Sequence, residues 1–253
     1  MTRIIIWISL ILSLILPLWL WIAGLFTPLK ALNIDIIDKT VLSKNVQEHI
    51  SFNWILTHNR LSKKDREFYE PTIDYLGFFP KNDRKFVIKG LEQYDSLQIE
   101  RLADTLNMAY FTDTYGMYHN EWYDVDDRIM EHSPLIYGGM SQQDIQLISA
   151  LKNRKKLILT EFNDIASPTP KKIRNEFEAL FQIEWTGWIG RYFDVLDTNI
   201  TKELPYWLKR GYTTQHSNEC PFKKSRIVFV NENGPLEILE NETHPNYEHT
   251  VIK

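Results

Sequence analysis

The chain predicts an α/β domain, built on a mostly parallel sheet flanked by helices and preceded by one N-terminal transmembrane helix. Residues Ile4 to Phe26 carry no charged side chain. Beyond them, short runs rich in Ile, Leu and Phe alternate with segments of helical periodicity. Those runs end in polar residues or glycine, as strands of crossover units do.

At roughly 1.5 Å per residue, a helix of about 23 residues is about 34 Å long, enough for a hydrocarbon core of about 30 Å. Its Leu, Ile and Phe residues contribute roughly −5 to −9 kcal/mol on the insertion scale, before small costs for Ser9, Ser13 and Pro17. A cleaved signal peptide has an apolar region of only about 7–15 residues and a small-x-small cleavage site. Leu29-Lys30-Ala31 is the nearest approach to such a site here. Trp19 and Trp21 suit an interfacial belt. Residues 1–30 are thus expected to form an uncleaved signal-anchor whose partner is the lipid bilayer, through Ile4 to Phe26. Arg3 and the amino terminus compete with Lys30 for the cytoplasmic side. The short cationic tip places the amino terminus in the cytoplasm and the rest outside the membrane.

Residues 31–253 hold no repeat, low-complexity tract or Gly/Ser linker and read as one domain. The net charge of the chain is −4 and it has no polybasic run, which argues against nucleic acid or anionic lipid as a main partner. Cys220 is the only cysteine, so no intramolecular disulfide forms, and a bacterial envelope protein fits this composition. The Asn-x-Thr tripeptides at Asn199 and Asn241 decide nothing.

Within the domain, Leu32 to Asp38 alternates as a strand does, and Val46 to Asn59 is helical with Ile50, Trp54 and Thr57 on one face. Tyr75 to Pro80 is rich in aromatics and turn residues, and Phe86-Val87-Ile88 is a short strand. Ser96 caps a helix through Leu97, Ile99, Leu102 and Leu106, which leads to the strand Met108 to Thr112. Leu135-Ile136-Tyr137 is a strand ending at Gly138-Gly139. Ser141 with Asp144 three residues on forms a carboxylate capping box, and Ile145, Ile148 and Leu151 are the buried stripe of that helix. Leu157 to Thr160 is the next strand. Pro168 and Pro170 precede a helix from Lys171 to Phe181. Arg226–Val230 and Leu236–Leu239 flank Asn233-Gly234, a type I′ hairpin signal.

The segment Leu135 to Asn163 resembles the core of class I glutamine amidotransferase-like domains. Its strand, Gly138-Gly139 turn, helix and Lys156-Leu157-Ile158-Leu159 strand follow that layout. The resemblance implies a flavodoxin-like, amidotransferase-like sheet. The family places a nucleophilic cysteine at the turn after the last of these strands. Here that position is Phe162, or Glu161 if the register slips by one, and Cys220 lies far downstream. The implied scaffold therefore lacks glutaminase chemistry.

Open α/β sheets bind ligands beyond the carboxyl ends of their strands. The residues expected there are Asp38, Lys39 and Thr40, then Asp113 and Tyr115, then Gly138, Gly139, Glu161 and Asn163, with Arg191 as a charge partner. This polar, partly acidic rim suits a small polar or carbohydrate ligand, with Glu161 and Asp113 available as an acid–base pair. The same residues also serve as caps of turns and helices. Trp185 to Tyr192 gathers aromatics, glycines and Arg191, either as a sugar-stacking platform or as core packing. His216 and Cys220 lack the further ligands a zinc site needs, so no metal and no cofactor is expected. No Walker loop, Gly-x-Gly-x-x-Gly, His-Glu-x-x-His or Gly-x-Ser-x-Gly is present. The functions in competition are an extracytoplasmic binding module for a small ligand or an envelope partner, an envelope glycan hydrolase, and a purely structural membrane protein.

Overall fold

The computed structural model describes residues 2–45, 47–124, 133–193, 204, 206–215 and 226–240. In chain order the elements are α1 (Thr2–Phe26), β1 (Lys30–Ala31), β2 (Ile34–Asp38), α2 (Ile50–His58), β3 (Leu61–Ser62), β4 (Leu76–Pro80), β5 (Phe86–Lys89), α3 (Ser96–Thr105), β6 (Met108–Asp113), β7 (Met117–Tyr118), α4 (His119–Tyr123), β8 (Leu135–Tyr137), α5 (Gln142–Asn153), β9 (Leu157–Thr160), α6 (Lys171–Phe181), β10 (Trp188–Phe193), α7 (Tyr206–Gln215), β11 (Arg226–Asn231) and β12 (Leu236–Glu240). They form two compact units, residues 1–117 with 137–174 and residues 118–136 with 175–253.

The first unit is built on a five-stranded sheet of order β5-β4-β2-β6-β9. β4, β2, β6 and β9 run parallel, and β5 closes one edge antiparallel. Alternation along the strands divides the core between the faces. Ile34, Ile36, Phe79, Met108 and Tyr110 pack with Leu56 of α2 and with Tyr69 and Tyr75. Ile37, Phe78, Ala109 and Phe111 point to the opposite face and are buried. There α3 and α5 pack on one another, and α5 on β9. The fold class is thus α/β, a mixed sheet of mostly parallel strands flanked by helices.

Several local expectations need correcting. The cap of α3 is Asp95, not Ser96: its side chain accepts the Gln98 amide at 2.8 Å, while the Asp95 amide donates to Gln98 Oε1 at 2.8 Å. α2 is shorter than expected, and Val46 lies outside the described residues. Its Ile50 and Trp54 do share a face, but that face is exposed, while Asn53 and Leu56 are buried. β4 occupies the stretch read as aromatic and turn-rich. β8 does not join the main sheet and pairs instead with β7.

In the second unit β10, β11 and β12 form an antiparallel sheet over Phe193, Leu204, Leu208, Val228 and Leu236. The aromatic Trp185–Tyr192 stretch therefore contributes a strand, with Trp188 opposite Asn231. The β11–β12 connection is not type I′. Asn231 bonds the Pro235 carbonyl at 2.8 Å across a three-residue loop, and Gly234 takes φ 102°, as in a type I turn closed by a glycine bulge.

Among the described residues no helix is long and apolar enough to cross a membrane. The side chains of 2–6, 8–11, 14 and 25 lie outside the described set. The backbone nevertheless runs as one 25-residue α-helix, and its sequence is uncharged from Ile4 onward.

Candidate functional site

The strand order of the first unit reverses at β2. The chain lays β4 and β5 on one side of it, then returns to place β6 and β9 on the other. Such a reversal opens a crevice beyond the carboxyl ends. It falls between Asp38-Lys39-Thr40 and Asp113-Thr114-Tyr115. Asp38 is the register partner of Asp113, and the Lys39 amide donates to the Asp113 carbonyl at 2.8 Å.

At this point an ionic cluster gathers around Lys39. Lys39 is wholly buried. Its Nζ donates to Glu92 Oε1 at 2.6 Å, Asp144 Oδ2 at 2.8 Å and the Gly139 carbonyl at 3.0 Å. The ammonium also stands 5.3 Å from the centre of the Tyr137 ring. Burial alone would lower its pKa, but Asp144, Tyr137 and Glu92 outweigh burial and leave it raised. Glu92 shows the converse: burial would raise it, and Lys39 brings it below its ordinary value.

Asp38 is buried as well and faces His49, whose Nδ1 lies 2.7 Å from Asp38 Oδ2. His49 Nε2 is 2.8 Å from the Pro71 carbonyl. The imidazole thus bridges the end of β2 to the Pro71 backbone.

Beyond Lys39 and Asp38, Asp113 and Asp164 are also buried, while Glu161 and Glu48 are exposed. Asp113 accepts the Tyr115 amide at 2.7 Å on Oδ1 and Asn163 Nδ2 at 3.1 Å on Oδ2. Burial raises its pKa, and Asp38 adds to the effect against those hydrogen bonds. Asp164 accepts the Glu161 amide at 2.8 Å and is raised well above the carboxylate range by burial. Glu161 is exposed and receives the Tyr110 hydroxyl, whose pKa is pushed up to about 12 by burial and then by that bond. Glu48 is also exposed. Burial of part of its side chain raises its pKa, and Asp113, Asp38 and Glu161 raise it further. Glu48, Asp113 and Glu161 thus share one electrostatic neighbourhood.

Of the rim expected from sequence, Asp38 and Lys39 are sealed inside, whereas Tyr115 is 38% exposed. The Gly139 amide donates to the Thr114 carbonyl at 2.6 Å, and Gly138 lies against the backbone of Tyr115 and Gly116. Asn163 reaches Asp113. Arg191 belongs to the second unit, where its guanidinium lies 5.2 Å from the Phe193 ring. His216, Cys220, Asn199 and Asn241 lie outside the described residues. Glu48, His49, Glu92 and Asp164 were not foreseen. The signal that points to them is Asp38-Lys39, a charge pair closing an apolar strand, which demands compensation from elsewhere in the fold.

The turn after β9 is not an elbow. Glu161 is extended, with φ −100° and ψ 173°, and residues 162–164 form a 3-10 turn. A nucleophile elbow requires a sharp, strained turn. Away from the crevice, a cavity of about 610 Å³ flanks the first half of β2 and is lined in part by Asp35, Lys63, Tyr69 and Asp74. Asp35 Oδ2 has no hydrogen-bond partner, and burial pushes this carboxyl up to about 6. Among the described residues no group of three or more His, Cys, Asp or Glu is arranged to hold a metal ion.

The fold defines an α/β protein whose main sheet reverses its strand order at β2, with acidic residues at the ends of the neighbouring strands. Comparison with protein families, curated proteins and solved structures finds no match to this chain.

Proposed function

We propose that the chain is a membrane-anchored binding module. α1 spans a bilayer of the cell envelope with its amino terminus in the cytoplasm, and the extracytoplasmic part takes a small polar ligand, foremost a carbohydrate, at the β2/β6 crevice. The observation that carries this reading is that Asp113 and Glu161 close the paired strands β6 and β9 beside the strand-order reversal. The Glu161 amide donates to the Phe111 carbonyl at 3.2 Å, Asn163 donates to Asp113 at 3.1 Å, and Glu161 is exposed. Carboxylate oxygens on an exposed rim accept hydrogen bonds from sugar hydroxyls. The anchor reading is supported by the 25-residue helix Thr2–Phe26, about 37 Å at 1.5 Å per residue.

The amidotransferase likeness enters as scaffold only. Gly138-Gly139, α5 and β9 follow that layout, while β8 departs from it by pairing outside the main sheet. The extended Glu161 and the 3-10 turn at 162–164 argue against glutaminase activity. A glycan hydrolase would need Asp113 or Glu161 to move protons freely. Each Asp113 oxygen already accepts a hydrogen bond, which supports an orienting role for it.

The test is calorimetric titration of the full chain in phosphatidylcholine nanodiscs with a panel of mono- and disaccharides. Saturable binding weakened about tenfold, or 1.4 kcal/mol, by Glu161→Gln or Glu48→Gln is expected. A panel without saturable binding overturns the carbohydrate reading, and release of new reducing ends would favour the hydrolase.

A further inference from the structure

α2 carries apolar side chains on its outer as well as its inner side. Leu56 packs into the core, yet Ile50, Trp54 and Ile55 are 41%, 64% and 46% exposed. Trp54 stacks on His58, with ring centres 5.0 Å apart and planes 12° from parallel. Ser51 and His58 are exposed beside Ile50, Trp54 and Ile55, so the outer side of α2 is amphipathic, a tryptophan and two isoleucines among polar side chains.

What lies beside this helix is the exit of α1. Only Thr27, Pro28 and Leu29 separate α1 from β1, and such a tether spans at most about 10 Å. β1 pairs with β3, with Lys30 opposite Leu61. Arg60, just past the end of α2, donates from Nε to the Thr27 carbonyl at 3.1 Å and accepts the Lys30 amide at 3.0 Å. The end of α2 is therefore fastened to the first residue after α1. Trp54 stands four residues before the end of α2 at His58, about 6 Å along its axis. The polar layer of a bilayer is itself about 5–7 Å deep on each side.

We propose that the Ile50–Trp54–Ile55 face of α2 rests in the interfacial layer of the membrane that α1 spans, an inference that builds on the anchor reading. Helices lie in that layer with an apolar face turned to the acyl chains, and tryptophan favours it. The occupant of the face is lipid, brought there by the tether. The absence of a polybasic run makes the contact apolar rather than electrostatic, so zwitterionic lipid suffices.

The experiment uses the full chain carrying Cys220→Ser in phosphatidylcholine vesicles. Single cysteines are placed by Leu16→Cys, Ile55→Cys or Lys81→Cys and labelled with an environment-sensitive fluorophore, and phosphatidylcholine brominated in its acyl chains is the quencher. Lys81 is exposed in the turn after the carboxyl end of β4. Quenching at positions 16 and 55 but not at 81 is expected. Adding Ile50→Ser and Trp54→Ser should abolish quenching at 55 and leave it intact at 16. Quenching at 16 alone overturns the surface contact while the anchor stands. No quenching at 16 overturns the anchor, and the surface contact with it. Equal quenching at 55 and 81 shows indiscriminate adhesion and likewise overturns the proposal.

Discussion

The Lys39 ammonium lies 2.8 Å from Asp144 Oδ2, and neither side chain reaches solvent. Asp144 also accepts the Ser141 amide at 2.6 Å and the Ser141 hydroxyl at 2.8 Å. One carboxylate thus closes the amino end of α5 and neutralises the buried cation. Removing the cation alone would strand a buried negative charge. Lys39→Met should cost about 3–5 kcal/mol, read as a lowered urea midpoint with an unchanged slope. A loss below about 1 kcal/mol, the range of a surface ion pair, would show that the cluster is hydrated.

Asp35 should behave in the opposite sense. Its folded pKa of about 6 stands above the 3.8 of an unperturbed carboxyl, so folding favours its neutral form. The stability it contributes is present below about pH 4 and is lost as pH rises towards 6. At pH 7 the ionised group is a burden of about 2 kcal/mol, after allowing for partial solvation. Asp35→Asn should therefore stabilise the protein at pH 7, with the gain fading by pH 4. Equal stability of the two proteins at pH 7 would mean that the carboxylate is fully solvated in its cavity.

Which parts of this arrangement could be read from the chain follows from the range of the interactions. β2, β6 and β9 announce themselves through apolar runs with polar ends, and so the strand-end residues Asp38, Asp113 and Glu161 were within reach. β4 was not, because Phe78 and Phe79 are buried on opposite faces and leave no alternation to detect. β8 shows the limit of a three-residue pattern: it reveals a strand but not its neighbour. The partners of Lys39 lie 53 and 105 residues away in sequence, and nothing local to Glu92 marks it as the mate of a buried amine. Asp144 was legible as a cap, which conceals its second task.

Close approach at the strand ends gives a steric prediction. A Cβ on Gly77, whose φ is +146°, would sit 1.6 Å from the Asp38 carbonyl oxygen. Gly77→Ala must push β4 away from β2 at the residue that orients Lys39, costing about 3 kcal/mol or more. Gly234→Ala makes the control: φ is also positive there, but nothing lies within 4 Å, so about 1 kcal/mol is expected. Chemical denaturation of both variants decides the point, and equal losses would contradict the close packing of β2 on β4.

Glutamine should not be hydrolysed. Thiolate attack needs a cysteine on a strained turn, whereas the chain offers Phe162 in a 3-10 turn after an extended Glu161. Ammonia release from glutamine by the purified full chain should match a no-protein blank. Release that disappears with Cys220→Ser would identify a nucleophile elsewhere in the sequence.

The anchor reading makes the last prediction. With no charge between Ile4 and Phe26, the full chain should stay with membranes through alkaline carbonate washing. Leu12 and Leu16 lie near the middle of α1 and are exposed along it, so a change there should not disturb a protein core. An arginine at the centre of a span costs about 2.5–3.5 kcal/mol on the insertion scale, and two together rival the roughly −5 to −9 kcal/mol supplied by the apolar residues. Leu12→Arg combined with Leu16→Arg should therefore release much of the protein into the wash, while either alone shifts the partition less. Release of the unsubstituted chain, or recovery of a mature form beginning near Asn33, would show that the segment does not remain as an anchor. Retention of the double variant at the original level would mean that another surface holds the protein to the membrane, and the exposed face of α2 is the first to test.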